Sequence, residues 1–444
     1  MLEPRKSRED HTVIYYNVLK YIMPKFKKFW KLIGPGLITG ASDDDPSSIA
    51  TYSIAGAKLG NAGLWTMLYT LPLMVAVQEM SARIGISSRC GLAGNLKRYY
   101  SKKLLFSIAI LILASNIFNI GADVAGMAAA IDLLIPRFGS LTKVLIIGGI
   151  LFTTVVLSYR KIVSIFKWLA FSLFAYVIAG FFSIDNWSGV LYHLVAPVLQ
   201  FDKHFFILHF AILGTTISPY IAFWQASEEA EEKKLKAGKT NLVCEYRTVT
   251  RHELINASAD TRIGMAFSNL IGFFIIALTS SVLFRAGVTN IESIADVAGT
   301  LKPLAGQYAY LLFTLGIVSS GLLAIPILAG SSAYVISEVF DWPASLDKPF
   351  SKARKFYLVI IASAAVGLAI TYLGINPVKA LFYTAILHGL SAPVLLAAII
   401  HMANNPKIVG PNMNSFLSNI IGYVTMLLMT AGAIFFFITI RPNA

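Results

Sequence analysis

Residues 34–60 read GPGLITGASDDDPSSIATYSIAGAKLG, which places three consecutive aspartates and a proline inside an otherwise apolar stretch. Proline removes a backbone N–H, and it pushes the residue before it away from helical dihedral angles. We therefore expect a helix that is interrupted at Asp45 and Pro46. A charge in the middle of a membrane costs roughly 2.5–3.5 kcal/mol on insertion scales, so the aspartates are expected beside a cation, a proton or water.

The composition indicates that this stretch lies in a lipid bilayer. Of 444 residues, 56% are hydrophobic and only 14% are charged, whereas a soluble domain carries about 25% charged residues. The formal net charge is +14, but the basic residues form short clusters between apolar runs. That distribution is typical of membrane proteins rather than of a nucleic-acid-binding face. We expect the bilayer as a partner and no nucleic acid, and the oligomeric state stays open.

The two cysteines, Cys90 and Cys244, fall in polar loops far apart in the sequence. Two cysteines make neither a disulfide framework nor a metal cluster, so we interpret them as incidental thiols in a reducing compartment. The N-terminal stretch is long and charged, and no small-residue cleavage site follows a short apolar core. We therefore expect no cleavable signal peptide.

A helix that crosses a membrane needs about 20 mostly apolar residues. Eleven segments are predicted to do so: residues 31–58, 62–84, 104–135, 142–159, 161–183, 204–229, 255–285, 307–337, 354–373, 376–402 and 416–440. Lysine and arginine cluster after the second, fourth, sixth and eighth spans and are sparse in the opposite loops. This alternation predicts an integral protein of the cell membrane, with a cytoplasmic N-terminus and an extracytoplasmic C-terminus.

The sixth span contains a second candidate break, GTTISPY at residues 214–220. In both spans a glycine precedes the proline, Pro46 or Pro219, by five or six residues, and small polar residues surround that proline. A simple kink would explain one such proline. Two of them, five spans apart, favour a pair of inverted repeats that bind substrate where two discontinuous helices meet.

The predicted fold is therefore an all-α polytopic membrane protein with a LeuT-like 5+5 inverted repeat and one extra helix. Its predicted divisions are a cytoplasmic N-terminal segment, two five-helix repeats joined by an extracellular linker, and an additional helix: residues 1–30, 31–183, 184–203, 204–402 and 416–440.

Hard divalent cations prefer carboxylate, hydroxyl and carbonyl oxygens as ligands. The two breaks offer one carboxylate beside the proline and four hydroxyls: Asp45, Ser42, Ser48, Thr215 and Ser218. On an extended backbone Asp43 and Asp45 would face one side and Asp44 the other, which makes Asp44 a second ligand or a wall of the hydrated path. No Cys, Met or His lies beside either break in the sequence, so selectivity for soft metals is not supported.

Further polar residues lie inside predicted spans, and three of them are candidates for the site. Asn269 is interpreted either as a ligand or as an interhelical hydrogen-bonding residue. Asp123 is a candidate for a proton or ion relay. His388 is a second relay candidate, although a packed, hydrogen-bonded histidine is the more common role.

Two pairs of opposite charges have the four-residue spacing that brings side chains together on a helix. Glu79 and Arg83 lie towards the cytoplasmic end of the second span and are expected to pair with each other. Glu229 and Lys233 follow the sixth span, where we expect a helix end that extends into water.

Residues 34–60 resemble the first helix of the Nramp family of divalent metal transporters, which carries an Asp-Pro-Gly-Asn signature. The segment LWTMLYTLPLMVAVQEMSARIG at residues 64–85 is similar to that family's second helix, and ISPY at residues 217–220 takes the place of its Met-Pro-His signature. The resemblance covers the whole chain and is strongest in the first two spans.

The resemblance implies roles for particular positions. Asp45 and Pro46 match the metal-binding aspartate and the helix break, while Ser48 stands at the asparagine ligand. Ser218 stands at the methionine ligand, with Pro219 retained. The resemblance further implies that Ser47 replaces the glycine, Tyr220 the histidine, Asp123 the acidic residue linked to proton movement, and Asn269 the polar position of helix seven.

The function implied is that of a secondary active transporter that imports divalent metal cations by alternating access. The metal is then the substrate, no cofactor is expected, and the protein is not an enzyme. Serine in place of the methionine should weaken discrimination against hard ions. We therefore expect a divergent branch that carries Mg²⁺ or Mn²⁺, with Fe²⁺ as a further candidate, and proton coupling stays open.

The sequence leaves two alternative functions open. A cation-coupled symporter of a small organic solute would share the scaffold, but three aspartates favour a multivalent cation over a carboxylate-bearing solute. An intramembrane enzyme would need a nucleophile with a base, and the sequence shows no such grouping.

Overall fold

The computed structural model describes residues 35–136, 139–156, 165, 169, 171–200, 202–236, 244 and 246–440. The predicted N-terminal segment, residues 1–30, lies outside the described residues. Helices dominate the described part of the chain, and no β-strand occurs in it.

Every predicted span contains helix within the described residues. The principal helices are α1 Pro35–Asp43, α2 Pro46–Leu59, α3 Trp65–Ser88, α4 Lys102–Asp132, α5 Ser140–Val156, α6 Phe174–Ser183, α7 Lys203–Thr216, α8 Pro219–Lys236, α9 Arg251–Thr279, α10 Ala309–Phe340, α11 Arg354–Ile370, α12 Pro377–Ala403 and α13 Phe416–Ile440. A π-helical turn, Ser280–Phe284, continues α9. Much of the first half of the fifth predicted span lies outside the described residues.

Six helical segments of the described chain are long and apolar enough to cross a membrane by themselves: Lys102–Asp132, Lys203–Lys234, Arg251–Phe284, Ile294–Phe340, Pro377–Ala403 and Phe416–Thr439. Two shorter apolar helices, Ser140–Val156 and Phe174–Ser183, accompany them. The all-α membrane architecture is therefore confirmed, whereas the count of eleven spans and the repeat boundaries stay predictions.

The first predicted break is confirmed. Helix α1 ends at Asp43, Asp45 has extended dihedral angles (φ −70°, ψ 172°), and Pro46 begins α2. Asp45 acts as the N-cap of α2, because its side chain accepts a hydrogen bond from the backbone N–H of Ser48. Proline suits the first position of a helix, where no partner exists for an N–H, and aspartate is a favoured N-cap.

The second break is confirmed at the corresponding place. Helix α7 ends at Thr216, Ile217 leaves helical geometry (φ −112°, ψ 54°), and Pro219 begins α8. Ser218 lies on the non-helical backbone between the two halves. Both interrupted spans therefore restart at their proline.

The glycine that precedes each break lets the interrupted helix contact a neighbouring backbone. A Cβ atom on Gly40 would overlap the carbonyl group of Gly264 in α9, and one on Gly214 would overlap the carbonyl oxygen of Ala385 in α12. Small residues permit such close approach between membrane helices. The glycine–proline spacing noted in the sequence thus reflects both the break and the helix packing beside it.

The interpretation of Cys90 and Cys244 as incidental thiols is wrong. Their sulfur atoms form a disulfide, with Cα atoms 5.2 Å apart. The chain before α9 returns to the end of α3, where the Arg247 N–H donates to the Ser87 carbonyl at 3.0 Å. The separation of 154 positions along the sequence concealed this proximity.

The expected pair of Glu79 with Arg83 is not the contact that forms. Arg262 Nε of α9 lies 2.6 Å from Glu79 Oε1. Arg83 Nη1 instead donates to Asn414 Oδ1 at 2.8 Å. Partners on neighbouring elements replace the intrahelical pair, because α3 packs against α9 at this end.

The end of α8 also differs from the prediction. The helix does extend to Lys236, but Glu228 and Glu229 are buried rather than solvated. Glu229 accepts a hydrogen bond from Gln225 at 3.1 Å. Lys233 pairs with Glu253 of α9 at 2.7 Å instead of with Glu229.

Candidate functional site

The two breaks lie against each other. The hydroxyl oxygens of Ser48 in α2 and Thr215 in α7 are 2.7 Å apart. The Tyr220 hydroxyl of α8 donates to the Ser42 carbonyl of α1 at 3.0 Å. All four residues are buried. The structure therefore brings the polar residues of both breaks into one buried region.

Asp45 is enclosed by neutral donors. Its Oδ1 accepts from the Ser47 hydroxyl (2.7 Å) and from the Ser48 backbone N–H (2.7 Å). Its Oδ2 accepts from the Asn119 side-chain amide of α4 at 3.0 Å. Such donors orient the carboxylate and leave its negative charge unneutralised.

A cluster of oxygen atoms surrounds the Ser48 hydroxyl. Within 3 Å of Ser48 Oγ lie the Asp43 carbonyl oxygen (2.5 Å), Asp45 Oδ1 (2.9 Å) and Thr215 Oγ1 (2.7 Å). A hydroxyl has one proton to donate, so it cannot satisfy several acceptors at once. This convergence of carboxylate, carbonyl and hydroxyl oxygens is the donor set that hard cations prefer.

Asp43 and Asp44 face a common partner. Ser268 Oγ of α9 lies 3.0 Å from Asp43 Oδ2 and 3.2 Å from Asp44 Oδ1, and its hydroxyl can donate to either of them. Asp45 points instead towards Asn119, so the expected alternation of the three side chains is wrong. The reason is that Asp43 still belongs to α1, and the extended backbone begins only after it.

The site holds four buried carboxyl groups without a basic partner among the described residues. Asp43 Oδ1, Asp44 Oδ2 and both oxygens of Asp123 have no hydrogen-bond partner in the part of the chain that the structure describes. None of the ion pairs found there involves these groups or Asp45. Like charges repel strongly in a medium of low dielectric constant, so a proton or a cation has to offset them.

Asp123 of α4 lies on the Asn119 side of the break. It is fully buried, and its electrostatic neighbours include the Asp45 carboxylate. The relay candidate is thus next to the candidate ligand, although the two are 78 positions apart (123 − 45) in the sequence.

The remaining hydroxyl candidates are turned towards their own helices. Ser42 Oγ donates to the Thr39 carbonyl at 2.8 Å. Ser218 Oγ donates to the Thr215 carbonyl at 2.5 Å and also lies beside the Asp43 carboxylate. Ser218 therefore adjoins the Asp43 carboxylate, whereas the Ser42 hydroxyl is bonded to the backbone of its own helix, α1.

Asn269 and His388 lie at the margins of the site. The Asn269 amide donates to Thr70 Oγ1 of α3 at 3.3 Å, and Met74 Sδ is 3.7 Å away. The His388 ring of α12 lies 5.4 Å from the Tyr220 ring, centroid to centroid. His388 is therefore packed beside the second break, and the Met74 thioether lies near the site. The spacing of these residues in the sequence predicted neither contact.

Three contacts of the site were absent from the sequence interpretation. Ser268, Asn119 and Thr70 come from three different helices, and the signal that each of them carried was that of a polar residue inside an apolar span. In the described residues, no group of three or more His, Cys, Asp or Glu side chains is arranged to hold a metal. Any cation site here needs hydroxyl and carbonyl oxygens as well.

Two interrupted helices that meet at a buried cluster of oxygens, within an all-helical membrane protein, define a polytopic membrane protein with a LeuT-like fold. Residues 36–439 match the Nramp family model, described as natural resistance-associated macrophage protein-like. The chain belongs to the Nramp family, and the resemblance seen in the sequence is confirmed.

Similar proteins cover nearly the whole chain. A protein named divalent metal cation transporter MntH, from Caldanaerobacter subterraneus, is 24% identical over 95% of this chain and 96% of its own length. The structure of the Eremococcus coleocola manganese transporter has a TM-score of 0.74 at 18% identity, covering 94% of this chain and 90% of that one. MhsT in complex with L-phenylalanine has a TM-score of 0.59 at 11% identity, covering 90% and 98%. The two structures support the fold.

Proposed function

We propose that this protein imports divalent metal cations as a secondary active transporter that works by alternating access. Membership of the Nramp family supports the proposal, as does the relative named a divalent metal cation transporter, which aligns over almost the full length of both chains. The observation that carries it is the cluster of oxygens around Ser48 Oγ, next to carboxyl groups without a basic partner in the described residues.

In this proposal the ion binds between the two breaks. Asp45, Ser48 and Thr215 supply the central oxygens, together with the Asp43 carbonyl. Asp44 contributes negative charge at the edge. Ser218, Ser42 and Asn269 are further members of the proposed ligand set. Their side chains donate hydrogen bonds to Thr215, Thr39 and Thr70, and a donated hydrogen bond leaves the lone pairs of the side-chain oxygen for a cation.

The donor set supports hard or borderline ions of the Mg²⁺ and Mn²⁺ type, with Fe²⁺ as a further substrate. Carboxylate, hydroxyl and carbonyl oxygens match Mg²⁺ and Mn²⁺, whereas thioether sulfur favours softer metals. A serine occupies position 218. The thioether of Met74 contacts Asn269 rather than the aspartates. Weak discrimination between Mg²⁺ and Mn²⁺ is the consequence that we propose.

We further propose that Asp123 relays protons or ions to the site and that His388 assists from α12. Asp123 is fully buried beside the first break, where a charged carboxyl group is costly without a counter-ion. The proposed setting is the cell membrane, with the N-terminus in the cytoplasm, as the alternation of basic loops predicts.

Flux into proteoliposomes tests the proposal. Asp45→Asn keeps the shape of the side chain and removes its charge, so we expect Mn²⁺ and Mg²⁺ uptake to fall at least tenfold. Asp185→Asn is the matched control, because Asp185 is an exposed residue that pairs with Arg285 away from the breaks. Uptake by Asp45→Asn at the rate of the unsubstituted protein would contradict the site, and Mn²⁺ uptake that Mg²⁺ neither accompanies nor inhibits would contradict the Mg²⁺ part.

A further inference from the structure

A separate cavity of about 560 Å³ lies between the end of α3, the beginning of α9 and the beginning of α13. Its lining includes three arginines and one acidic residue: Arg83, Arg251, Arg262 and Glu79. We call this cavity the α3–α9–α13 pocket. It shares no lining residue with the oxygen cluster at the two breaks, so it is a different site.

The charge of the pocket is unbalanced. Its one acidic residue, Glu79, is already engaged by Arg262 at 2.6 Å and by the Ser258 hydroxyl. Arg83 donates to a neutral amide, the side chain of Asn414. With Glu79 offsetting one arginine, the lining has an excess of two positive charges. An anionic ligand is therefore complementary to it.

Two neutral groups in the lining are also uncommitted. Asn412 Nδ2 and Ser418 Oγ are buried and have no hydrogen-bond partner among the described residues. Buried polar groups without partners are uncommon and call for an explanation such as a bound ligand. Both groups are donors, and the oxygens of a phosphate group would accept hydrogen bonds from them.

Most of the remaining wall is apolar and leads onto the outer surface of the helices. Ile86, Leu254 and Met413 line the pocket. Beside it, Ile255 of α9 is 56% exposed and Phe416 of α13 is 82% exposed. A ligand that satisfies the whole surface needs an anionic head and hydrocarbon chains, which a free phosphate ion lacks.

The end of α3 and the beginnings of α9 and α13 lie on the side that the basic loops predict to be cytoplasmic. Anionic phospholipids enrich the cytoplasmic leaflet, and basic pockets between membrane helices on that side bind their headgroups. We propose that the α3–α9–α13 pocket binds the headgroup of an anionic phospholipid. The phosphate diester lies against Arg251, Arg262 and Arg83, and the acyl chains follow Ile255 and Phe416.

Lipid binding to the purified full-length chain tests this proposal. The chain in neutral detergent is titrated with dioleoylphosphatidylglycerol, with dioleoylphosphatidylcholine or with inorganic phosphate, and bound lipid is counted by native mass spectrometry. We expect a preference for phosphatidylglycerol of at least tenfold, and no displacement of that lipid by millimolar phosphate. Equal retention of both lipids would overturn the proposal, as would displacement by inorganic phosphate, which would indicate a site for the free anion.

Variants locate the binding. Each arginine near an anionic lipid contributes about a factor of five, so Arg251→Gln should lower phosphatidylglycerol affinity about fivefold and the double variant R251Q/R262Q roughly 25-fold. Arg354→Gln is the control, because Arg354 is an exposed residue at the start of α11 on the same predicted side, outside the pocket. An unchanged preference in R251Q, or an equal loss in Arg354→Gln, would overturn the assignment. The single variant keeps the test decisive if the double variant fails to fold.

Discussion

Ser268 places a neutral hydrogen-bond donor beside two carboxyl groups of the first break. Its hydroxyl reaches Asp43 and Asp44 at 3.0 and 3.2 Å. A hydrogen bond to a charged group contributes about 1.5–3 kcal/mol, and a buried acceptor left without a partner costs a similar amount. The residue therefore matters for the folded state as well as for the electrostatics of the site.

Ser268→Ala should lower the free energy of unfolding by about 1–3 kcal/mol, because it leaves a further buried carboxylate oxygen without a donor. Thermal unfolding of the purified protein in one detergent measures the effect. Ser81→Ala is the control, since buried Ser81 donates only along its own helix, to the Val77 carbonyl. Equal midpoints for the two variants would show that Ser268 has no such role.

Ser218 is the residue at which the second break adjoins the Asp43 carboxylate. Ser218→Met places a thioether there, and soft metals bind thioethers better than hard ones do. We expect the ratio of Cd²⁺ to Mg²⁺ uptake in proteoliposomes to rise at least severalfold. Ser218→Ala removes the hydroxyl without adding sulfur, so the ratio should stay near that of the unsubstituted protein. A rise of the same size in both variants would contradict a role for the donor atom.

At the scale of helices, the packing of α1 on α9 depends on a glycine at the contact. Gly40→Ala brings a Cβ atom into the backbone of Gly264 and should lower the free energy of unfolding by about 1–3 kcal/mol, the usual cost of overpacking. Gly148→Ala in α5 is the control, because its Cβ atom would meet nothing within 4 Å in the structure. Thermal unfolding compares them, and a Gly40→Ala midpoint at or above that of Gly148→Ala would refute the close contact.

The interrupted helices were predictable because their cause is local. Pro46 and Pro219 dictate where a helix restarts, and those constraints act within a few residues of the sequence. The partners of the break residues were not predictable in the same way. Ser268 meets Asp43 and Asp44 only because α9 packs on α1, and the sequence has no local sign of that contact.

The predictions that proved wrong relied on local patterns, whereas the contacts that form depend on tertiary packing. Glu79 and Arg83 satisfied a local spacing rule, but α9 offered Glu79 a different cation. Cys90 and Cys244 lay in loops that no local pattern connects, yet the chain brings them together. The membrane class and the broken helices follow from composition and backbone constraints, whereas charge pairs and disulfides follow from tertiary packing.

At the scale of the whole molecule, the site is closed in this structure. Asp45, Ser48 and Thr215 are all buried, and so is Tyr220, which contacts the Ser42 carbonyl across the breaks. An ion therefore reaches the oxygen cluster only after the helices separate on one side. In the proposed cycle, the halves of each interrupted helix are the parts that move, because non-helical backbone joins them at Asp45 and Ser218.

The predicted orientation places the chain between α6 and α7 outside the cell and the chain between α10 and α11 inside it. Ser188 and Ser351 are exposed residues of these two connections. A membrane-impermeant maleimide should label Ser188→Cys in intact cells and Ser351→Cys only after permeabilisation. The unsubstituted protein is the control, because it measures any labelling of Cys90 and Cys244, the two cysteines of the sequence. The reverse labelling pattern would contradict the predicted orientation. The lysine- and arginine-rich loops would then lie outside the cell, against the positive-inside rule.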